Sequence, residues 1–160
     1  MIGQTNNSTD GRTSGDLAGW LTADGHRLDV RVYFEDTDFS GVVYHARYLH
    51  FLERGRSDFL RLKGIGHREL MSGDFGAPMA FAVRRMELDF LRPARIDDVL
   101  TVTTKTRQLG GARILLDQTI ARDGELLLEA NVKVAVISPD GKPMRMPARV
   151  LEVLAPSAPA

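Results

Sequence analysis

The stretch over residues 31–63, RVYFEDTDFSGVVYHARYLHFLERGRSDFLRLK, changes its hydrophobic period partway along, and that change limits the possible folds more than any other feature. Its opening residues, Val32, Tyr33 and Phe34, favour extended backbone, so a first strand is predicted over about 28–35. Glu35, Asp36, Thr37 and Asp38 stop that strand with polar turn formers, and Gly41 supplies a backbone free of the usual steric limits. From Val43 the spacing becomes helical. Ala46, Leu49, Leu52, Phe59 and Leu62 fall on one stripe, which Tyr48, Phe51 and Leu60 widen. The pattern predicts a helix over about 43–63, closed by Gly64 as its C-cap. A helix apolar over so much of its circumference is buried. The loop before it has two readings. It is a polar connection in which Asp38 is a turn or N-cap residue, or it is a site. Asp38 lies just ahead of a helix start whose N–H groups lack partners. A carboxylate there can act as a base beside an oxyanion hole.

Downstream the pattern is that of strands. Residues 79–90 are mostly apolar, interrupted by Arg84 and Arg85. Residues 98–108 and 112–122 alternate, separated by Gly110 and Gly111, and Asp123-Gly124 marks a second hairpin. Over 126–137, Leu128, Ala130, Val132, Val134 and Val136 alternate against Glu129, Asn131 and Lys133. Short helices are expected at 67–71 and after Pro147. The predicted fold class is α+β, an antiparallel sheet of about five strands wrapped around one long central helix. One helix leaves sheet edges uncovered, which favours an oligomer. Residues 1–25 are expected to be a disordered extension, with Leu17, Trp20 and Leu21 a weak apolar anchor. The folded domain is expected over 26–154, and 155–160 as a disordered tail.

Composition excludes several classes. Twenty-one basic residues balance 21 acidic ones, so nothing draws the chain to nucleic acid in bulk. It contains no cysteine, hence no disulfide framework, thiolate zinc site or cysteine nucleophile. No apolar run approaches the roughly 20 residues of a membrane-spanning helix. The first residues lack the apolar core of a secretory signal, so a cytoplasmic location is expected. Asp36-Thr37-Asp38 could suggest a metal site, but no phosphate loop or later acidic pair accompanies it. His45 and His50 are five apart on the expected helix and cannot share a face as ligands. No metal site is expected. Glu53, Arg54 and Arg56 read as a helix salt-bridge set.

The run Tyr33-Phe-Glu-Asp-Thr-Asp38-Phe-Ser-Gly41-Val-Val-Tyr44-His45-Ala-Arg-Tyr48-Leu-His-Phe51-Leu-Glu53-Arg54-Gly-Arg56 resembles the signature of hotdog-fold thioesterases. The likeness is to the 4-hydroxybenzoyl-CoA thioesterase and YbgC-type acyl-CoA thioesterases, the latter linked to the Tol-Pal envelope system. It extends through Phe81–Met86, Pro93–Asp98 and Glu129–Lys133, covering about residues 28–153. Gly55 departs from it, standing where alanine is usual. The resemblance implies hydrolysis of an acyl-CoA, or of an acyl-carrier-protein thioester, to a free acid. It places Asp38 as nucleophile or general base, the His45 backbone N–H as the group polarising the thioester carbonyl, and Tyr44 beside them. It implies substrate contacts from Gly41, Val42, Val43, Tyr48, Val83 and Arg84. It further implies no cofactor beyond the coenzyme A of the substrate, and a homodimer or homotetramer with each site at a subunit interface. The alternatives are a hotdog hydratase or dehydratase, for which the spacing from Asp38 to His45 fits poorly, and a non-catalytic acyl-thioester-binding partner of an envelope complex. For Arg84, Arg85 and Lys133, contact with CoA phosphates and simple solvation are both open.

Overall fold

The computed structural model describes residues 19–156; the expected tail over 1–16 and the last residues, 157–160, lie outside it. Six strands form one antiparallel sheet: β1 (Trp20–Thr22), β2 (Gly25–Arg31), β3 (Ala80–Phe90), β4 (Val99–Gly110), β5 (Arg113–Arg122) and β6 (Glu125–Ile137). Their spatial order is β1-β2-β4-β5-β6-β3. Between β2 and β3 the chain crosses the sheet through α1 (Arg47–Leu62) and α2 (His67–Ser72), and α3 (Ala148–Leu154) ends the described chain. The sixth strand corrects the sequence reading of the extension. β1 pairs with β2, Trp20 opposite Arg27, so the ordered domain reaches back at least to Gly19. A strand of three residues, Trp20-Leu21-Thr22, is too short for its alternation to be seen alone.

The strands follow their period. In β5, Ile114, Leu116, Gln118 and Ile120 are buried, and in β6 Leu128, Ala130, Val132, Val134 and Val136 are. These side chains and α1 form the core. The Asp123-Gly124 hairpin has positive φ at both residues, 49° and 80°, the handedness that matches strand twist.

Two boundaries move. β2 ends at Arg31 rather than at 35, because Phe34–Asp36 folds into a 3₁₀ turn closed by the Asp36 N–H on the Tyr33 carbonyl, 3.0 Å. The helix starts at Arg47 rather than at 43. Val42 and Val43 remain extended, bridging to Arg95 and Thr37, and the Val43 N–H donates to the Ala94 carbonyl at 2.8 Å. β-Branched valines favour such pairing over a first helical turn.

The helix stripe is also rotated from the expected one. Leu49 is 40% exposed, whereas Tyr48, Phe51, Leu52, Gly55, Asp58 and Phe59 face the sheet. Gly55 sits at the centre of that face. A Cβ there would lie 2.7 Å from Val102 Cγ1 and 3.2 Å from Thr104 Oγ1. The missing side chain lets α1 settle on β4, where Gln118 Nε2 donates to the Leu52 carbonyl at 2.9 Å and to Thr104 Oγ1 at 2.8 Å. Arg56 is not in a helix salt bridge; it turns inward and donates to Gln118 Oε1 at 3.0 Å. Helix propensity alone favours alanine over glycine by about 1 kcal/mol. Overpacking against a stiff valine costs about 1–3 kcal/mol. Gly55→Ala is therefore expected to lower the melting temperature, and a rise in a thermal scan would show that the helix can back away freely.

Candidate active site

The loop between β2 and α1 is built around Asp36. Its carboxylate accepts from the Tyr33 N–H at 2.8 Å and from Arg47 Nε at 2.9 Å, and its carbonyl accepts from the Tyr44 N–H at 2.9 Å. This buried side chain ties the entry of the loop to the first residue of α1 and fixes Tyr44. Asp38 is different. It is exposed, and among the described residues its side chain hydrogen-bonds only with Ser40, whose N–H donates at 2.8 Å and whose hydroxyl donates as well. A tight turn, the Gly41 N–H on the Asp38 carbonyl at 3.0 Å, presents it, and Gly41 holds a φ of 82° that side-chain-bearing residues resist. The Ser40 hydroxyl and N–H, with a smaller contribution from nearby His45, hold the Asp38 carboxyl below its ordinary value of 3.8. It is an anion at neutral pH.

Facing it is the start of α1. No side chain caps this 16-residue helix, and no acidic residue lies in its first turn. The positive end of the helix dipole therefore meets no acidic residue of the helix's own first turn, and Asp38 lies ahead of it in the preceding loop. Among the described residues no acceptor meets the His45 N–H, which lies in the turn just ahead of the helix. The His45 ring packs against Tyr44 with centroids 4.5 Å apart. An open cleft of about 280 Å³ adjoins, bordered by Val43, His45, Tyr48, Phe90, Leu91 and Pro93.

The residues singled out in the sequence are only partly brought together. Asp38, Gly41, Val42, Val43, Tyr44, His45 and Tyr48 lie on one loop and helix start. Tyr48 borders the cleft, and its hydroxyl accepts the Ala94 N–H at 3.0 Å. Burial pushes that phenol above its ordinary value. Val83 lies elsewhere in the same chain, lining a second cleft between α1 and β3 with Glu53, Arg56, Ser57 and Phe81. Arg84 is the inserted residue of a β-bulge and is exposed. Sequence reasoning missed Ser40, although Asp-x-Ser is a turn pattern in which the side chains bond locally. It also missed the clamp of Arg47 on Asp36, for which an 11-residue separation offers no local signal.

A sheet curled on one long helix, with an exposed carboxylate at that helix's N-terminal end, defines the architecture of a hotdog-fold protein. Residues 40–129 match the model of the thioesterase superfamily. The acyl-CoA thioesterase YbgC of Haemophilus influenzae is 42% identical over 113 residues, 71% of this chain and 81% of that protein. A probable thioesterase from Bartonella henselae has a solved structure with a TM-score of 0.75 and 50% identity, covering 77% of this chain and 99% of its own. A thioesterase from Thermus thermophilus, solved with coenzyme A and Zn, aligns with a TM-score of 0.67 at 28% identity, over 80% of this chain and 90% of that one. The chain belongs to the thioesterase superfamily.

Proposed function

We propose that the protein hydrolyses acyl-CoA thioesters to a free carboxylic acid and coenzyme A, with Asp38 as the reacting carboxylate. The observation that carries this is the pairing of an exposed, anionic Asp38 with an uncapped helix start and an unpartnered His45 N–H. Attack on the thioester carbonyl moves negative charge onto its oxygen, which the His45 N–H and the α1 dipole stabilise. Asp38 either takes a proton from the attacking water or attacks first, forming an anhydride that water then opens. In both routes the C–S bond breaks and the thiolate leaves. A thiolate is a tolerable leaving group near neutral pH, so the His45 side chain need not act as an acid. Water is the only co-reactant, and the coenzyme belongs to the substrate. Among the described residues no group of three or more His, Asp or Glu could hold a metal.

The names of the relatives and the cleft bordered by His45 support this substrate class. The test is thiol release over a panel of acyl-CoAs and acyl-carrier-protein thioesters. Absence of release from every member would end the reading. No helix among the described residues is long and apolar enough to cross a membrane. The proposed location is the cytoplasm, the compartment in which acyl-CoA is made and used.

We further propose a homo-oligomer. Among the described residues β3 pairs with β6 alone, leaving its outer edge open, and Val83, Phe90 and Leu91 on and after it are about half exposed. Phe34 and Phe39, flanking the catalytic loop, are 81% and 109% exposed. A second copy would cover such surface and bring the partner's β3 cleft towards Asp38, uniting the two groups of substrate contacts. Light scattering at micromolar concentration is expected to show no major 17.7 kDa species. An active monomer would refute it.

A further inference from the structure

The turn that presents the His45 N–H is held from outside its own loop by Ala94. This residue is fully buried. Its carbonyl accepts the Val43 N–H at 2.8 Å, and its N–H donates to the Tyr48 hydroxyl at 3.0 Å. Val43 and Tyr48 lie on either side of His45 in the chain, so Ala94 grips that turn before and after the N–H. Whatever fixes Ala94 therefore decides how accurately the N–H is aimed.

Ala94 belongs to the loop over 91–98, between β3 and β4. The far end of this loop is clipped to the chain leaving β2. The Asp97 N–H donates to the Val32 carbonyl and the Val32 N–H to the Asp98 carbonyl, both at 2.9 Å. Asp97 holds a φ of 70°, in the left-handed region that side-chain-bearing residues resist. Such a conformation persists only where its surroundings over-determine it. Arg122, the last residue of β5, supplies the remaining tie. Its Nη1 donates to Asp98 Oδ2 at 2.7 Å and to the Pro93 carbonyl at 3.3 Å, and its Nη2 to Glu125 Oε1 at 2.8 Å. Asp98 Oδ2 also accepts the Arg95 N–H at 2.9 Å. Burial raises the Asp98 carboxyl, but the Arg95 N–H and Arg122 outweigh burial and hold it below its ordinary 3.8, an anion at neutral pH. One guanidinium thus holds the loop on both sides of Ala94, at Pro93 and at Asp98. Among the described residues Arg122 is not one of those bordering the cleft beside His45, so it reaches the site only through the loop. A partly exposed ion pair of this kind adds little to stability. An oxyanion donor, in contrast, has to lie within about 0.5 Å of its place, and a displacement of about 1 Å costs on the order of 10² in rate.

We propose, resting on the hydrolysis proposed above, that Arg122 is a positioning residue: it sets the 91–98 loop through Asp98 and Pro93, and the loop, through Ala94, aims the His45 N–H at the thioester oxygen. The full-length protein is compared with Arg122→Gln, Arg122→Lys, Asp98→Asn and the double variant of Arg122→Gln with Asp98→Asn. Arg107→Gln is the control, since Arg107 on β4 forms a like pair with Asp117 on β5 away from the loop. Arg122→Gln is expected to melt within about 4 °C of the wild type. Its kcat is expected to fall about 10- to 100-fold while KM moves less than about threefold. Arg122→Lys, which keeps a charge beside Asp98, recovers part of the loss. Asp98→Asn reproduces it, and the double variant loses no more than the worse single one, because both act through one loop. The control keeps the wild-type kcat. The NMR resonance of the His45 amide reads its position without turnover; it is expected to shift in Arg122→Gln and in Asp98→Asn and to stay in place in Arg107→Gln. An Arg122→Gln protein with lowered stability but unchanged kcat and an unmoved His45 resonance has lost a structural tie only, and overturns the proposal. Losses that multiply in the double variant overturn it as well. A wild-type protein that releases thiol from no acyl-CoA ends the reading of hydrolysis instead, and the His45 resonance still decides whether Arg122 sets that turn.

Discussion

Asp38→Asn is expected to melt with the wild-type protein and to lose about 10²- to 10⁴-fold in turnover. Among the described residues the exposed side chain hydrogen-bonds only to Ser40, so the amide disturbs little that holds the fold. It removes the anion that would take a proton or form the covalent bond. The KM should move far less, because an acyl-CoA is held mainly by its acyl chain and nucleotide. Asp36→Asn should behave in the opposite way. Its second oxygen becomes a donor facing the Tyr33 N–H, and its bond with Arg47 loses charge assistance, at a cost of about 1–3 kcal/mol in stability. Steady-state hydrolysis of a short acyl-CoA and of benzoyl-CoA, with melting curves, separates the two. A folded Asp38→Asn retaining more than about a tenth of turnover would exclude Asp38 as the reacting group. The pH profile adds a second reading. With the carboxyl held below 3.8, the acid limb of the wild-type rate should lie below that pH, and Ser40→Ala should move it upward.

How much of this was legible in the sequence depends on whether the cause was local. The strands β4 to β6 were legible because a period of two repeats over ten or more residues, and a hairpin such as Asp123-Gly124 needs only its own two residues. The long helix was legible, yet its buried face was misplaced. Leu49 and Leu62 are as apolar as Leu52, and nothing in the sequence says that a glycine, Gly55, marks the closest approach to the sheet. The helix start was misplaced because Val43 is drawn into pairing by Ala94, 51 positions away, a partner invisible to local spacing. In the site, the loop proposed to carry the chemistry is continuous in sequence and could be named. Its supports, Arg47 on Asp36 and Ala94 on Tyr48, depend on tertiary contacts. β1 was missed for the same reason: a tertiary anchor holds it.

That anchor is Asp58, and its loss is expected to be among the most damaging to stability. On the buried face of α1, Asp58 accepts from His26 Nε2 at 2.6 Å and from the Gly19 N–H at 2.7 Å, with Arg61 closing the group from solvent. It joins the helix, β2 and the segment that leads into β1. Asp58→Ala leaves the His26 and Gly19 N–H groups without acceptors. The expected loss is on the order of 3 kcal/mol, or roughly 6–12 °C in melting temperature. Hydrogen exchange should show the amides of Trp20–Thr22 opening first, since β1 is the edge strand that Gly19 leads into. Acidification should act on the same cluster. Burial holds the fully enclosed His26 below its ordinary 6.5 despite the opposing pull of Asp58, and Arg61 pushes the same way as burial. Its Nδ1 is buried without a partner among the described residues, so a proton added there would find no acceptor. The unfolded chain therefore binds a proton below pH 6.5 that the folded chain does not. The His26 contribution is fully present above that pH and declines as pH falls towards the folded value. Asp58 is held below 3.8: burial raises it, but the His26, Gly19 and Arg61 donors outweigh burial, so its own titration lies outside this window. Urea unfolding at about pH 8 and about pH 5.5 should show lower stability in acid for the wild type and a smaller difference for His26→Gln. Stability that holds or rises on acidification would mean that His26 is already a cation in the folded protein, paired with Asp58 as an ion.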